Sequence, residues 1–279
     1  MVLEPSLSIQ EVYRVLVTKI QKFFSSAGKN EAVLGLSGGI DSAVVAALAV
    51  DALGAEHVHG ILMPSAFSTD GSVRDAIDLA NNLGISYDIV PIGGIYDSYI
   101  EKLGSYFADG KWGVAQENIQ ARVRGTILMA YSNKFGHLLL NTSNKSELAV
   151  GYGTLYGDLS GAVMVLADLY KLQVYELAEY INRGGIRIPV SILTKAPSAE
   201  LHPGQKDSDS LPVYEELDPV LHALNEGGAT NQDLIDRGID EHLIERIVSL
   251  QNGAAFKIMQ IPPVLTVCGK PLVPDFKCL

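Results

Sequence analysis

Ala32-Val33-Leu34-Gly35-Leu36-Ser37-Gly38-Gly39-Ile40-Asp41-Ser42-Ala43 decides the reading of this chain. Residues 32–36 carry no polar side chain, which suits a short strand buried on both faces of a sheet. Ser37-Gly38-Gly39 is a turn, and the Ala/Val/Leu-rich run beyond it reads as a helix that stops at Gly54. Upstream, Ser8-Ile9-Gln10-Glu11 is a capping box ahead of Val12, Val15, Leu16, Ile20, Phe23 and Phe24, which keep helical spacing. Downstream the alternation recurs. A strand is expected over His57–Met63, a helix over Ser72–Leu83, a strand over Ser86–Val90, a helix near Tyr96, a long helix over Glu117–Asn133 and a strand over His137–Leu140. Such alternation predicts an α/β fold, a doubly wound parallel sheet flanked by helices.

Beyond Asn141 strands fade from the pattern. Helices are expected over Lys171–Arg183 and around Pro219–Leu224, Asn231–Arg237 and Glu241–Leu250, with an extended C-terminal tail from about Ile261. Lys195–Pro212, rich in Pro, Gly, Ser and Asp, reads as a mobile loop too polar to bury. No fixed-period repeat and no linker composition interrupts the 279 residues, so one domain over 1–279 is expected.

The turn at residues 37–39 sits where open α/β sheets bind ligands, and its chemistry is that of an anion site. Gly38 and Gly39 let the backbone approach a phosphate, the first amides of the helix point toward it, and Ser37 and Ser42 add hydroxyls. Asp41 would repel polyphosphate unless Mg²⁺ lay between, so the loop asks for a magnesium–pyrophosphate unit. It is neither a Walker A sequence, lacking the lysine after the glycines, nor a dinucleotide G-x-G-x-x-G fingerprint.

Composition narrows the classes. A net charge of −11 disfavours a protein that coats nucleic acid or anionic membrane. Hydrophobic content of 47% against 19% charged residues excludes global disorder. The longest stretch without Asp, Glu, Lys or Arg, residues 57–69, is 13 residues, against about 20 for a membrane span. The N-terminus shows no apolar signal core, so a cytoplasmic setting is expected. The two cysteines, Cys268 and Cys278, read as reduced thiols. His57 and His59 share a strand face, but no third ligand stands near them in sequence.

The loop resembles the SGGxDS loop of the ATP pyrophosphatases, which split ATP between its α and β phosphates. Gln116–Gly125 (QENIQARVRG), Asn141–Tyr152 (NTSNKSELAVGY) and Lys195–Leu201 (KAPSAEL) look like signature stretches of the NAD synthetases, a resemblance running from about residue 10 to about 265. It is nearer the synthetase half of the glutamine-dependent, two-domain members than the short ammonia-dependent ones, and no amidase domain is expected ahead of it. The resemblance implies an adenine nucleotide alpha hydrolase-like sheet. It implies an ATP site at Gly35, Leu36, Ser37, Gly38, Gly39, Ile40, Asp41, Ser42, Thr142, Lys171 and Ser198, with Mg²⁺ on Asp41 and Glu147. For deamido-NAD it implies Asn118, Arg122, Glu147 and Lys257. The lysine and aspartate that short members use are replaced here by Leu155 and Ala162.

The residues agree on their own chemistry. Asp41 and Glu147 come from different strand–helix junctions and suit one Mg²⁺, the competing reading of Glu147 being a solvated helix carboxylate. Arg122 and Arg124, two apart on a helix, cannot share a face, so one is expected at ligand and the other in a structural ion pair. Lys171 opens a helix, where the dipole disfavours a cation, a hint of use. With Asp41 and Lys171 as the catalytic pair, the implied activity is ATP-dependent amidation of deamido-NAD by ammonia, giving NAD, AMP and pyrophosphate. A homodimer built on the first helix and the helix from Glu117 is expected, with a separate glutaminase subunit as one ammonia source. The alternatives are another ATP pyrophosphatase, as in GMP synthesis or tRNA thiolation, or a non-catalytic ATP-binding protein.

Overall fold

A computed structural model describes residues 7–108, 110–267 and 269–273; Cys268 and Cys278 lie outside the described residues. In chain order the elements are α1 (Ile9–Ser26), β1 (Ala32–Gly35), α2 (Ile40–Leu53), β2 (Val58–Leu62), α3 (Asp70–Leu83), β3 (Ser86–Ile89), α4 (Gly93–Lys102), α5 (Val114–Phe135) and β4 (Leu138–Asn141). There follow α6 (Lys145–Ala149), β5 (Val163–Met164), α7 (Lys171–Ile181), α8 (Val190–Thr194), α9 (Tyr214–Asn225), α10 (Asn231–Asp236) and α11 (Glu241–Ile258). The five strands form one parallel sheet in the order β3-β2-β1-β4-β5, so the doubly wound expectation holds.

The period-2 alternation of a strand divides β1 between two layers. Ala32 and Leu34 face a core shared with α1, α2, α3 and α7, whereas Val33 faces Ile61, Leu139 and the α5 residue Val123 on the other side. In α1 the predicted stripe is buried at Val12, Leu16, Ile20, Phe23 and Phe24, each worth about 1.5–3 kcal/mol of transfer free energy. That burial corrects one expectation: the apolar face of α1 is spent in the core and offers no dimer surface. Helices α9, α10 and α11 carry a second apolar cluster around Leu217, Leu221, Leu234 and Ile247. No helix among the described residues is long and apolar enough to cross a membrane.

Short elements escaped the sequence pattern. β5 has two residues, and α6 and α8 five each, below the length at which periodicity shows. The tail from Ile261 adds to the sheet edge: Met164 N–H donates to Pro263 O at 2.8 Å and Leu265 N–H to Met164 O at 3.1 Å. His57 lies in a 3₁₀ turn before β2, not in the strand, and bonds Glu31 at 2.8 Å. His59 bonds Ser86 and Asp88 and stacks on Tyr131.

The chain runs from β1 outward through β2 and β3, then returns to build β4 and β5 on the other side. The crevice beyond the carboxyl ends of β1 and β4 is therefore the switch point, where such sheets bind ligands. One glycine there is obligatory. Gly38 has φ +77°, and a Cβ on it would lie 2.1 Å from the Ser72 carbonyl oxygen.

Candidate functional site at the carboxyl end of the sheet

A cavity of about 510 Å³ opens at this switch point, within the size range of small-molecule sites. Gly35, Leu36, Ser37, Gly39, Ile40, Asp41 and Ser42 form one wall, Thr142 and Glu147 a second, and Lys171, Lys195, Ser198 and Asp207 close it. Ser37 Oγ accepts from Gly39 N–H at 3.1 Å, and Ser42 Oγ donates to Gly39 O at 3.1 Å, which fixes the turn. The cap residue of α2 is Gly39, which makes no side-chain hydrogen bond, so the first-turn amides are left to the cavity. Gly38 is not in the wall; it is held from behind, its carbonyl accepting from Lys195 Nζ at 2.8 Å.

Charge concentrates beside those amides. Lys171 Nζ donates to Asp41 Oδ2 and lies 3.5 Å from Glu147 Oε1. Asn144 donates its side-chain amide to Asp41 Oδ1 at 2.9 Å, and its backbone N–H to Glu147 Oε2 at 3.2 Å. Glu147 is thus no solvated carboxylate: burial, then the Asp41 charge, push its carboxyl up to about 8 against the pull of Lys171. Burial would lower the Lys171 ammonium, but Asp41 and Glu147 outweigh it and hold it above the usual lysine range. Asp207, buried and bonded by Tyr152 and Tyr214, is also raised, chiefly by burial.

The group implied for this position is Mg²⁺. Two carboxylates converge on one buried cation, with Asp207 also near, so the donor set favours added positive charge. Asp41 and Glu147 supply the one or two carboxylates magnesium takes when phosphate oxygens and water complete its shell. The residues fit.

Three of the residues expected at deamido-NAD gather elsewhere. Asn118 accepts from Thr154 Oγ1 at 2.6 Å, Arg122 Nε donates to Leu155 O at 3.2 Å, and Lys257 Nζ donates to Gly151 O and Gly153 O at 2.7 Å. All three converge on the loop 151–155; none of the three lines the cavity that holds Asp41, although Tyr152 of that loop does. Leu155 packs with the Leu148–Leu159 cluster, and Ala162 N–H pairs with Leu139 O beside the sheet.

The structure adds participants beyond the implied site residues. Arg124, not Arg122, reaches the cavity wall; its Nε donates to Met63 O at 3.1 Å, and burial lowers it to about 10. The Asp158 and Glu200 carboxylates near Arg124 oppose that lowering. The backbones behind Arg124 are in contact, since a Cβ on Gly125 would lie 2.9 Å from Gly157 O. Lys195 ties the closing segment to the turn through Gly38 O, Ser72 and Asp75, and Glu200 bonds Thr69 and Ser72 at the start of α3. Lys195 and Glu200 stood in the quoted KAPSAEL stretch, but their partners lie 120 or more residues away. The Lys195–Pro212 segment is less exposed than its polarity implies, because Gln205 and Asp207 are buried.

A parallel sheet with an uncapped glycine-turn helix and an acidic, lysine-bridged cluster at its switch point defines an α/β protein whose ligand crevice offers free helix amides beside paired charges. The particular family follows from comparison with known proteins. The chain belongs to the NAD synthase family, whose model matches residues 12–261. It is 49% identical over 266 residues to the glutamine-dependent NAD(+) synthetase of Synechocystis sp., covering 95% of this chain and 48% of that protein. The chain thus spans about half the length of the curated relatives it matches. Among solved structures it is similar to an NMN synthetase from Francisella tularensis, with TM-score 0.78, 30% identity, and 97% of this chain and 100% of that one covered. It is also similar to an NH3-dependent NAD synthetase from Campylobacter jejuni, with TM-score 0.74, 32% identity, and 90% and 96% covered. The family resemblance drawn from the sequence is confirmed.

Proposed function

We propose that the chain is an ATP-dependent carbon–nitrogen ligase that amidates deamido-NAD with ammonia, releasing NAD, AMP and pyrophosphate. One observation carries the reading: a buried lysine bridges Asp41 and Glu147 beside the free amides of α2. That charge pattern suits a polyphosphate that arrives with a divalent ion, and family membership supports the acceptor.

In this reading the nicotinate carboxylate attacks the α-phosphorus of ATP, pyrophosphate leaves, and ammonia displaces AMP from the acyl adenylate. The first-turn amides of α2, with Ser37, Ser42, Thr142 and Ser198, bind ATP, and Lys171 neutralises charge as the phosphoanhydride breaks. Asp41 and Glu147 would hold magnesium, which when bound would supply charge neutralisation for the leaving pyrophosphate. Asn118 and Arg122 of α5 and Lys257 of α11, gathered around the 151–155 loop, bind the dinucleotide. The test is a purified chain with Mg-ATP, deamido-NAD and ammonium, in which NAD, AMP and pyrophosphate are expected in equal amounts. Nicotinate mononucleotide belongs in the same assay, because one solved neighbour is named an NMN synthetase. ATP binding without AMP release on any acceptor would leave the non-catalytic reading instead.

For the chain as given, ammonium is expected to support NAD formation and glutamine alone is not. The matched region is the synthase part of relatives about twice as long. In the cell a separate glutaminase subunit is one source of ammonia. Robust glutaminase activity in the purified chain would overturn this.

We read Lys195–Pro212 as a lid, since it carries Ser198, Gln205 and Asp207 into the cavity lining, and an acyl adenylate must be kept from water. Hydrogen exchange over residues 200–210 is expected to slow when ATP and deamido-NAD bind together. Unchanged exchange with both saturating would make the segment a passive connection.

A homodimer is the expected assembly. With α1 committed to the core, its surface falls to α4 and α5, where Ile95, Tyr99, Val114, Met129 and Phe135 are exposed. Sedimentation at working concentration is expected to give twice the chain mass, and a fully active monomer would refute it.

A further inference from the structure

Lys171 is an unfavourable residue with which to open a helix. The start of α7 presents the positive end of the dipole, and the cap residue Tyr170 makes no side-chain hydrogen bond to it. The first amides of α7 are satisfied from two other helices. Ser146 Oγ, on α6, accepts from Lys171 N–H at 2.9 Å, and Asp218 Oδ2, on α9, accepts from Leu172 N–H at 2.9 Å. Ser146 Oγ in turn donates to Asp218 Oδ1 at 2.5 Å, so both carboxylate oxygens meet donors. Ser146 and Asp218 are each 0% exposed, and neither lines the cavity.

The arrangement does more than end a helix. Ser146 immediately precedes Glu147 in α6, so its hydroxyl ties the Lys171 backbone to the helix that carries Glu147. The Asp218 carboxylate puts negative charge at a helix end that would otherwise disfavour the lysine. We propose that Ser146 and Asp218 are positioning residues that set Lys171 against Asp41 and Glu147 through the hydrogen-bonded junction of α6, α7 and α9. The proposal rests on the ligase reading above and deepens it.

A purely structural junction would lower stability and affect activity independently of Lys171, whereas a positioning junction acts only through it. A double-mutant cycle separates the two. Ser146→Ala is expected to reduce kcat about 10- to 100-fold, a cost that displacement of a reacting group by a fraction of an ångström to 1 Å explains, with KM for deamido-NAD within about twofold. In a Lys171→Met background, with AMP release followed from radiolabelled ATP, Ser146→Ala is expected to change kcat less than about twofold. Asp218→Asn should follow the same pattern, since an amide in place of the carboxylate sets a donor against one of its two donors. If Asp218→Asn fails to fold, Ser146→Ala decides alone. Equal losses from Ser146→Ala in both backgrounds, or wild-type kcat in Ser146→Ala, would overturn the proposal. If the intact chain makes no NAD, the ligase reading falls separately. The cycle is then read from Mg-ATP dissociation constants, with non-additivity supporting the positioning role and additivity refuting it.

Discussion

Lys171→Met is expected to lower NAD formation by about 10²- to 10³-fold, the range for losing a fixed group that meets charge developing in a transition state. The expectation follows from its surroundings. The ammonium is 3% exposed in side-chain terms, and its hydrogen-bond acceptors are Asp41 and Glu147. Methionine keeps the length and removes the charge. Breaking a buried ion pair costs about 3–5 kcal/mol when a charge is left unpaired. Here the cost should be smaller, because Glu147, pushed up to about 8, is already mostly protonated at neutral pH and Asp41 keeps the Asn144 amide. Steady-state rates beside thermal melts separate the two effects. A melting temperature within a few degrees of wild type with the rate gone is the expected pair of results, and near wild-type turnover in Lys171→Met would remove the lysine from the mechanism.

The second large effect concerns the carboxylates. Asp41→Asn and Glu147→Gln are each expected to cost about 10²-fold in rate and to raise the magnesium concentration at half-maximal activity. The fold should survive, since both side chains sit at the cavity wall, with 17% and 16% of the side chain exposed. A pH dependence comes with this. Glu147 must release its proton to hold a cation, and its carboxyl lies at about 8, so magnesium binding in the wild type should tighten as pH rises from 7 to 9. Glu147→Gln removes the titrating group and should flatten that slope. Titrating magnesium against the ATP-bound chain by calorimetry at three pH values measures it. Near wild-type rates at low magnesium in either variant would sink the metal assignment.

Legibility differed along the chain for identifiable reasons. The 37–39 turn could be read because its geometry depends on local properties: small residues, a short strand before it and a long helix after it. Glu147 could be placed at the site only through a family signature, because its burial depends on Asn144, Asp41 and Lys171 arriving from three other positions. Arg122 and Arg124 show the limit most plainly. Their spacing puts them on different faces of α5, but which face meets the cavity depends on how Gly125 packs against Gly157. The short elements β5, α6 and α8 left no period to detect, and α6 is the one that carries Glu147.

By itself the sequence determined the sheet type, the strand–turn–helix unit at residues 32–53 and the family, because hydrophobic period, glycine placement and contiguous motifs are local properties. Only the tertiary structure decided how the charges pair. Lys171 faces Asp41 across 130 residues, Lys195 reaches Gly38 across 157, and Asp218 meets Ser146 across 72. It also gathered Asn118 and Arg122 of α5 and Lys257 of α11 around the 151–155 loop, whose Tyr152 lines the cavity at Asp41. The physical reason is the same in each case: ion pairing and burial depend on distance in space, which chain spacing does not encode until the sheet order brings the carboxyl ends of β1 and β4 side by side.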